Sequence, residues 1–197
     1  MLPIWRLQPR FHSAQASNLA YKRHYFLRDK QMNKIDEAPF ISSEMSIEPY
    51  WIDHNGHLNM AYYHVLLDRA SDEFWHHLGL GPRYVESARH STFAAECHVR
   101  YLRELHVNDV VRTSIILLAA DDKRLHTFRQ LHHARAGWLA AVSENMSLHV
   151  DLSSRKVAAF PVEIKARLNV VVAAHGRLSR PDGIGRHVSM LKFQQEA

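Results

Sequence analysis

The chain has 197 residues, a hydrophobic share of 46% and a formal net charge of +5. That length suits one domain with tails, and no apolar run is long enough to cross a bilayer as a helix, so no membrane partner is expected. Residues 1–28 hold Arg6, Arg10, Lys22, Arg23 and Arg28 and no acid, so the remainder sums to zero (5 − 5). A neutral body behind a basic leader is not the footprint of a nucleic-acid binder.

The leader has Trp5, Phe11, Tyr21, Tyr25 and Phe26 scattered without a strand or helix period. It lacks an apolar h-region, which argues against a secretory signal, while its acid-poor, Arg-bearing composition suits an organelle transit peptide. Met32 opens a segment of different, mixed-charge character, Met-Asn-Lys-Ile-Asp, and we favour it as the true start over the transit peptide. The reading is therefore a leader over 1–31, a domain over 32–174 and a loosely held tail over 175–197 that is rich in Gly, Arg and Ser. The single cysteine, Cys97, leaves no internal disulfide and fits a reducing compartment, so a cytoplasmic location is expected.

In chain order, Phe40 to Glu48 reads as a strand ended by Pro49. The stretch Trp51-Ile52-Asp53-His54-Asn55-Gly56-His57-Leu58-Asn59-Met60 follows, with Asn59 placed as the N-cap of a helix to about Leu78. Tyr63, Leu67, Ala70, Phe74 and Leu78 recur at spacings of three and four and form one buried face. Gly79 fits the C′ position, with His76 and His77 in the last turn. A loop runs through Gly81-Pro82 to about Ser91. From Thr92 to Arg103 the residues alternate, placing Phe93, Ala95, Cys97, Val99 and Tyr101 on one face and Glu96, His98 and Arg100 on the other. Turns at Asn108-Asp109, Asp121-Asp122-Lys123 and Arg135-Ala136-Gly137 separate strands over 110–120, 125–134 and 138–151. The last of these is expected to turn Val142, Met146, Leu148 and Val150 inward. A second helix runs from Pro161 to about Ala173. One strand, one long helix and four consecutive antiparallel strands make an α+β layout, most simply a sheet wrapped around the helix.

The chemistry concentrates at the helix start. Asp53 stands just ahead of free N–H groups and the positive end of the helix dipole. Gly56 lets the chain turn tightly and brings bare backbone to whatever binds. A carboxylate beside donors that can hold an oxyanion is a catalytic arrangement in outline. Taken alone, the same residues describe a capped helix with a solvated acid in its leading loop. His54 and His57 form H-x-x-H, but no third ligand stands at a recognised spacing, so no metal or cofactor is expected. No G-x-S-x-G elbow is present. Cys97, in phase with apolar residues, reads as a buried structural thiol. Glu144 shares a phase with Val142, Met146 and Leu148, where a carboxylate needs a partner; Arg100 and His98 are the candidates.

Asp53-x-x-Gly56-His57-x-Asn59 followed by Tyr63 resembles the hotdog-fold thioesterases of the 4-hydroxybenzoyl-CoA thioesterase type, over roughly Phe40 to Leu168. Four groups are similar more narrowly to the betainyl-CoA thioesterases of carnitine catabolism: Trp51-x-Asp53-x-Asn55-Gly56-His57, Glu96-x-His98-x-Arg100, Ala120 to His126, and Leu148-His149-Val150-Asp151. The resemblance implies hydrolysis of an acyl-CoA to free acid and CoA. Asp53 then serves as base or nucleophile, the backbone N–H near Met60 holds the thioester oxygen, and His57 and Asn59 orient the water or the carboxylate. Many family members carry Tyr where this chain has Met60. A homodimer or homotetramer with sites between subunits is also implied. For a cationic acyl group, Trp51, Tyr50, Phe93 and Tyr63 are candidate ring faces and Glu96 and Glu144 candidate counter-charges. An aryl- or fatty-acyl-CoA thioesterase of the same fold, or a non-catalytic acyl-CoA-binding module, are the competing readings. Asp53 favours the enzyme, because a pure binder has no need of that acid.

Overall fold

The structure, a computed structural model, describes residues 39–189. The expected leader, the Met32 start and the end of the tail lie outside the described residues. Two short strands, β1 (Phe40–Ile41) and β2 (Met45–Ser46), precede a 3-10 turn at Pro49–Trp51 and the long helix α1 (Met60–His77). A short helix α2 (Pro82–Ala88) leads into β3 (His90–Tyr101), β4 (Val110–Ala120), β5 (Arg124–His133) and β6 (Leu139–Asp151). The short β7 (Lys156–Val157) and the helix α3 (Val162–His175) follow. The strands form one antiparallel sheet in the order β1-β4-β5-β6-β3, with β2 added to β4 and β7 to β6. The sheet packs around α1, which is the expected hotdog arrangement.

Two local expectations need correcting. The strand expected over 40–48 is two pieces, because Ser42 leaves the ladder: its N–H donates to Thr113 O (2.9 Å) and its hydroxyl accepts from Thr113 N (2.9 Å). A serine hydroxyl that bonds backbone offers the chain an alternative to continuous pairing. The loop expected after Gly81 is helical. Pro82 sits in its first turn, where a missing N–H costs nothing and a preset φ helps, so Gly-Pro here starts an element.

The helix α1 buries Tyr63, Leu66, Leu67, Ala70, Phe74 and Trp75. Its C-terminal half packs Phe74 and Leu78 with Ile115, Leu117 and Leu125 of the sheet and Ile164 and Leu168 of α3. Its N-terminal half packs Leu66 and Leu67 with Trp51, Leu58, Leu105, Val111 and Leu131. The loop that carries Asp53 is therefore anchored in the same core as the helix it precedes. Truncating a buried leucine such as Leu66 costs on the order of 2–5 kcal/mol.

The sheet faces are the reverse of the expected assignment for β6. Ala141, Ser143, Asn145 and Ser147 of β6 share the face of Tyr101, whose ring meets Tyr63 of α1. These small and polar residues are the ones under the helix, and all are buried. Val142, Met146, Leu148 and Val150 face the other way. Hydrophobic alternation fails as a guide here because both faces are covered: Ile116, Phe128 and Val142 on the outer face are also buried. The chain after α3 returns toward that face, where Gly185 N donates to Glu144 Oε2 at 2.6 Å. His175 is buried as well, and its Nδ1 accepts from Leu117 N at 2.9 Å.

His149 of β6 is fully buried between His90, stacked at 4.9 Å, and Phe160, at 4.4 Å. Its Nδ1 donates to Ala158 O (2.9 Å), so Nε2 is left to accept from the Tyr84 hydroxyl of α2 (2.9 Å). Burial, and next the neighbouring His90, push this imidazole below its usual value against the pull of the Ala158 carbonyl. A folded-state value below the unfolded one means stability that is present above about pH 6.5 and is lost as the pH falls. We expect the melting temperature to drop between roughly pH 7 and pH 5, and His149→Gln, which does not titrate, to show a shallower drop. Parallel pH profiles for the two proteins would contradict this assignment.

Candidate active site

The loop from Trp51 to Asn59 is closed by backbone bonds at both levels. Ile52 and Leu58 form an antiparallel bridge. Asp53 N donates to His57 O (3.0 Å) and Gly56 N to Asp53 O (3.0 Å), so residues 53–56 make a tight turn. Gly56 takes φ +82°, the left-handed region, and a Cβ there would meet nothing within 4 Å. Glycine is therefore required by conformation and not by crowding. Below the turn, Leu58 N donates to Leu105 O (2.7 Å) and Asn59 N to Trp51 O (2.9 Å). These two bonds pin the helix start to the chain that leaves β3.

Asn59 caps α1 as expected: its side-chain oxygen accepts from Ala61 N at 3.0 Å, and its carbonyl accepts from Tyr62 N at 3.0 Å. Among the described residues no group accepts from Met60 N–H, and Met60 itself is exposed. An open donor at the positive end of an 18-residue helix is a ready anion site. The Asp53 side chain is 16% exposed. Its Oδ1 accepts from Asn55 N (2.8 Å), while Oδ2 accepts from no described group and stays open to take a proton or attack a carbon. His57 stands between two carboxylates, 4.0 Å from Asp53 Oδ1 and 4.0 Å from Glu104 Oε1, with Nδ1 also 3.4 Å from Leu58 O.

The structure thus brings together Asp53, Gly56, His57, Asn59 and Met60. Tyr63 stands one turn further on, in the core at 4% exposure, and donates to Arg103 O (3.3 Å). Burial pushes its phenol up to about 12, so it stays a donor at neutral pH. Trp51, expected to offer a ring face to the acyl group, is a core residue at 2% exposure. Its ring stacks on Tyr62 (5.2 Å, 13°) and has the Arg69 guanidinium 5.3 Å from its centroid. A tryptophan of that size is held in place by the hydrophobic gain of burying it under the helix start.

Phe93, Glu96 and Glu144 are not brought to Asp53; all three lie on the sheet face turned away from α1. For Phe93 the cause is a β-bulge between Ala94 and Glu96. One extra residue shifts the phase of the strand, so Phe93 leaves the face of Cys97, Val99 and Tyr101 that simple alternation assigns to it. Phe93 carries the Arg155 guanidinium 5.7 Å from its ring. Glu144 pairs neither with Arg100 nor with His98 but with His126 Nε2 on β5, at 2.7 Å. The same edge corrects Cys97, which is exposed and not buried. Among the described residues its strand ends the sheet and no further strand lies beyond it; its Sγ lies 3.3 Å from Ser143 Oγ. Two neighbours of the site, Tyr101 and Glu104, carry no signal in the sequence that marks them. Tyr101 is in phase with strand residues and looks like sheet, and nothing local distinguishes Glu104.

A five-strand antiparallel path wrapped on one helix, with an acid in the turn before the helix start, defines a hotdog domain of the thioesterase class. A family model described as the thioesterase-like superfamily matches residues 47–168, and the chain belongs to that family. It is 36% identical over 147 residues to a betainyl-CoA thioesterase of Pseudomonas aeruginosa, covering 75% of this chain and 92% of that protein. It is 37% identical over 151 residues to an L-carnitine dehydrogenase/betainyl-CoA thioesterase of Rhizobium meliloti, covering 77% of this chain but only 30% of that longer protein. A Staphylococcus aureus protein solved in complex with CoA superposes with a TM-score of 0.72 at 25% identity, over 81% of this chain and 99% of that one.

Because the space around Gly56 is open, Gly56→Ala isolates the cost of the left-handed backbone. We expect a loss of about 1–2 kcal/mol in a urea titration. An unchanged midpoint would mean that the turn does not need its present conformation.

Proposed function

We propose that this protein hydrolyses an acyl-CoA thioester to the free acid and CoA, that the acyl group is betainyl, and that Asp53 carries the reaction. The observation that carries the reading is a carboxylate oxygen left open in the turn that leads into a helix whose first N–H is also open. A thioester carbonyl placed between them has its oxygen toward Met60 N–H and its carbon accessible to attack. Asp53 Oδ2 takes a proton from water as the water oxygen bonds to the carbonyl carbon. The negative charge that develops on the carbonyl oxygen is stabilised by the N–H and the helix dipole. Collapse breaks the C–S bond, and CoA leaves as a thiolate, a good leaving group. His57 lies between Asp53 and Glu104 and orients the water or the carboxylate. Asn59 contributes through the cap, which holds its side-chain oxygen on Ala61 N; its amide N–H groups remain available to the water.

The names of the relatives support the acyl group, and the Staphylococcus aureus neighbour solved with CoA supports the leaving group. The open edge of β3 supports an assembly. Residues 93–97, the middle of that strand, are all exposed, and an unpaired edge of 12 residues is a template for another strand. A second copy of this chain pairs with the middle of the strand, residues 93–97, in the reading we favour.

Asp53→Asn keeps the shape and removes the charge. We expect turnover of betainyl-CoA to fall by at least about a hundredfold, the scale on which a positioned acid–base group acts. Melting temperature should be unchanged, and both proteins should run at about twice the 22.8 kDa of one chain. Hydrolysis within a few-fold of wild type by the variant would remove Asp53 from the mechanism.

A further inference from the structure

The rings around the start of α1 differ in what their faces already meet. Trp51 and Tyr63 are core residues, Tyr62 is stacked on Trp51, and Tyr50 is exposed but stands edge-on to Trp51 and Tyr62. Tyr101, the last residue of β3, is 43% exposed. Its ring stands edge-on to Tyr63 at 5.0 Å and 69°, and its hydroxyl is 3.4 Å from His64 Nε2. His64 is one turn after Met60 on the same side of α1, so Tyr101 lies along the helix face that begins at the open Met60 N–H. The ring is held from two sides yet keeps much of its surface free.

The helix start beside it carries carboxylates. Asp53 and Glu104 flank His57 on one side, and the helix face continues from His64 to Asp68 and Asp72. The two arginines nearest the helix start are occupied elsewhere: Arg69 lies over Trp51 at 5.3 Å and Arg103 over Trp138 at 4.3 Å. Arg129 is buried in β5, on the side of Asp68 and Asp72. An open aromatic surface next to a helix start flanked by Asp53 and Glu104 suits a ligand that is positive but has no N–H to donate, because a quaternary ammonium gains from a ring face what it cannot gain from hydrogen bonds.

We infer that Tyr101 is the specificity-determining residue for the acyl group, its ring receiving a quaternary ammonium carried next to the thioester carbonyl. This inference rests on the hydrolase reading above and adds to it the residue that reads the charge. It moves the cation-binding role from the buried Trp51 to a ring that a ligand can reach.

The test compares two thioesters of one shape, betainyl-CoA and 3,3-dimethylbutyryl-CoA, which replaces the ammonium nitrogen with carbon. The ratio of kcat/KM for the two is measured in wild type, Tyr101→Leu and Tyr101→Phe. One well-placed ring corresponds to roughly a 2- to 30-fold preference for the cation. Wild type should prefer betainyl-CoA, Tyr101→Leu should lower the ratio of the two esters about tenfold, and Tyr101→Phe should keep it. A preference that survives in Tyr101→Leu, or an equal loss on both esters, would overturn the role of Tyr101 and leave the hydrolase intact. Failure of wild type to hydrolyse either ester would remove the hydrolase reading and this inference with it.

Discussion

Two backbone hydrogen bonds, Leu58 N to Leu105 O and Asn59 N to Trp51 O, tie together everything that matters at the site. They join the turn that carries Asp53, the start of α1 and the segment that leaves β3. Each bond is worth only about 1 kcal/mol net, but they act on a loop whose ends are already buried: Trp51, Leu58 and Leu105 share one core cluster with Leu66 and Leu67 of the helix. Packing supplies the energy and the hydrogen bonds supply the register. Without them the acid and the open N–H would move independently, and the carbonyl site proposed between them would lose its geometry. Gly56 is the conformational cost of the same device, since the turn closes only through a left-handed residue.

Under the 18-residue helix, β6 presents the small buried side chains Ala141, Ser143 and Ser147. The polar atoms this buries are partly answered within the sheet. In the amide orientation that satisfies both its ends, Asn145 accepts from Arg129 Nη2 (2.9 Å) and donates to Glu96 O (3.2 Å), the carbonyl at the β3 bulge. The bulge is thus tied to the interior and is no loose irregularity. It also decides which side chains of β3 look toward α1, turning Tyr101 to the helix and Phe93 away from it.

Much of this is legible in the amino-acid sequence. The period of three and four in α1, its Asn59 cap, the Gly79 stop and the strand-separating turns are local signals, and local signals survive folding. The cluster of Asp53, Gly56, His57, Asn59 and Met60 is legible for the same reason, since one short loop carries all five. What stays hidden is non-local. The phase of β3 depends on a bulge that no turn residue marks, and the phase of β6 misleads because both its faces are covered. Cys97 looks internal because the residues in phase with it, Ala95 and Val99, are apolar, yet it stands on the edge strand of a sheet. Trp51 looks available because it is near Asp53 in sequence, yet its size makes it a core residue. Tyr101 and Glu104 come to the site only through the return of β3 to the helix start, a relation that exists in three dimensions alone.

The central claim is that this fold and this loop make a thioesterase selective for a cationic acyl group. It is tested most directly by following CoA release with a thiol reagent across betainyl-, acetyl-, 4-hydroxybenzoyl- and palmitoyl-CoA. The account predicts release from betainyl-CoA with the highest kcat/KM of the four. Binding of CoA esters without thiol release, or a clear preference for the aryl or fatty ester, would contradict it.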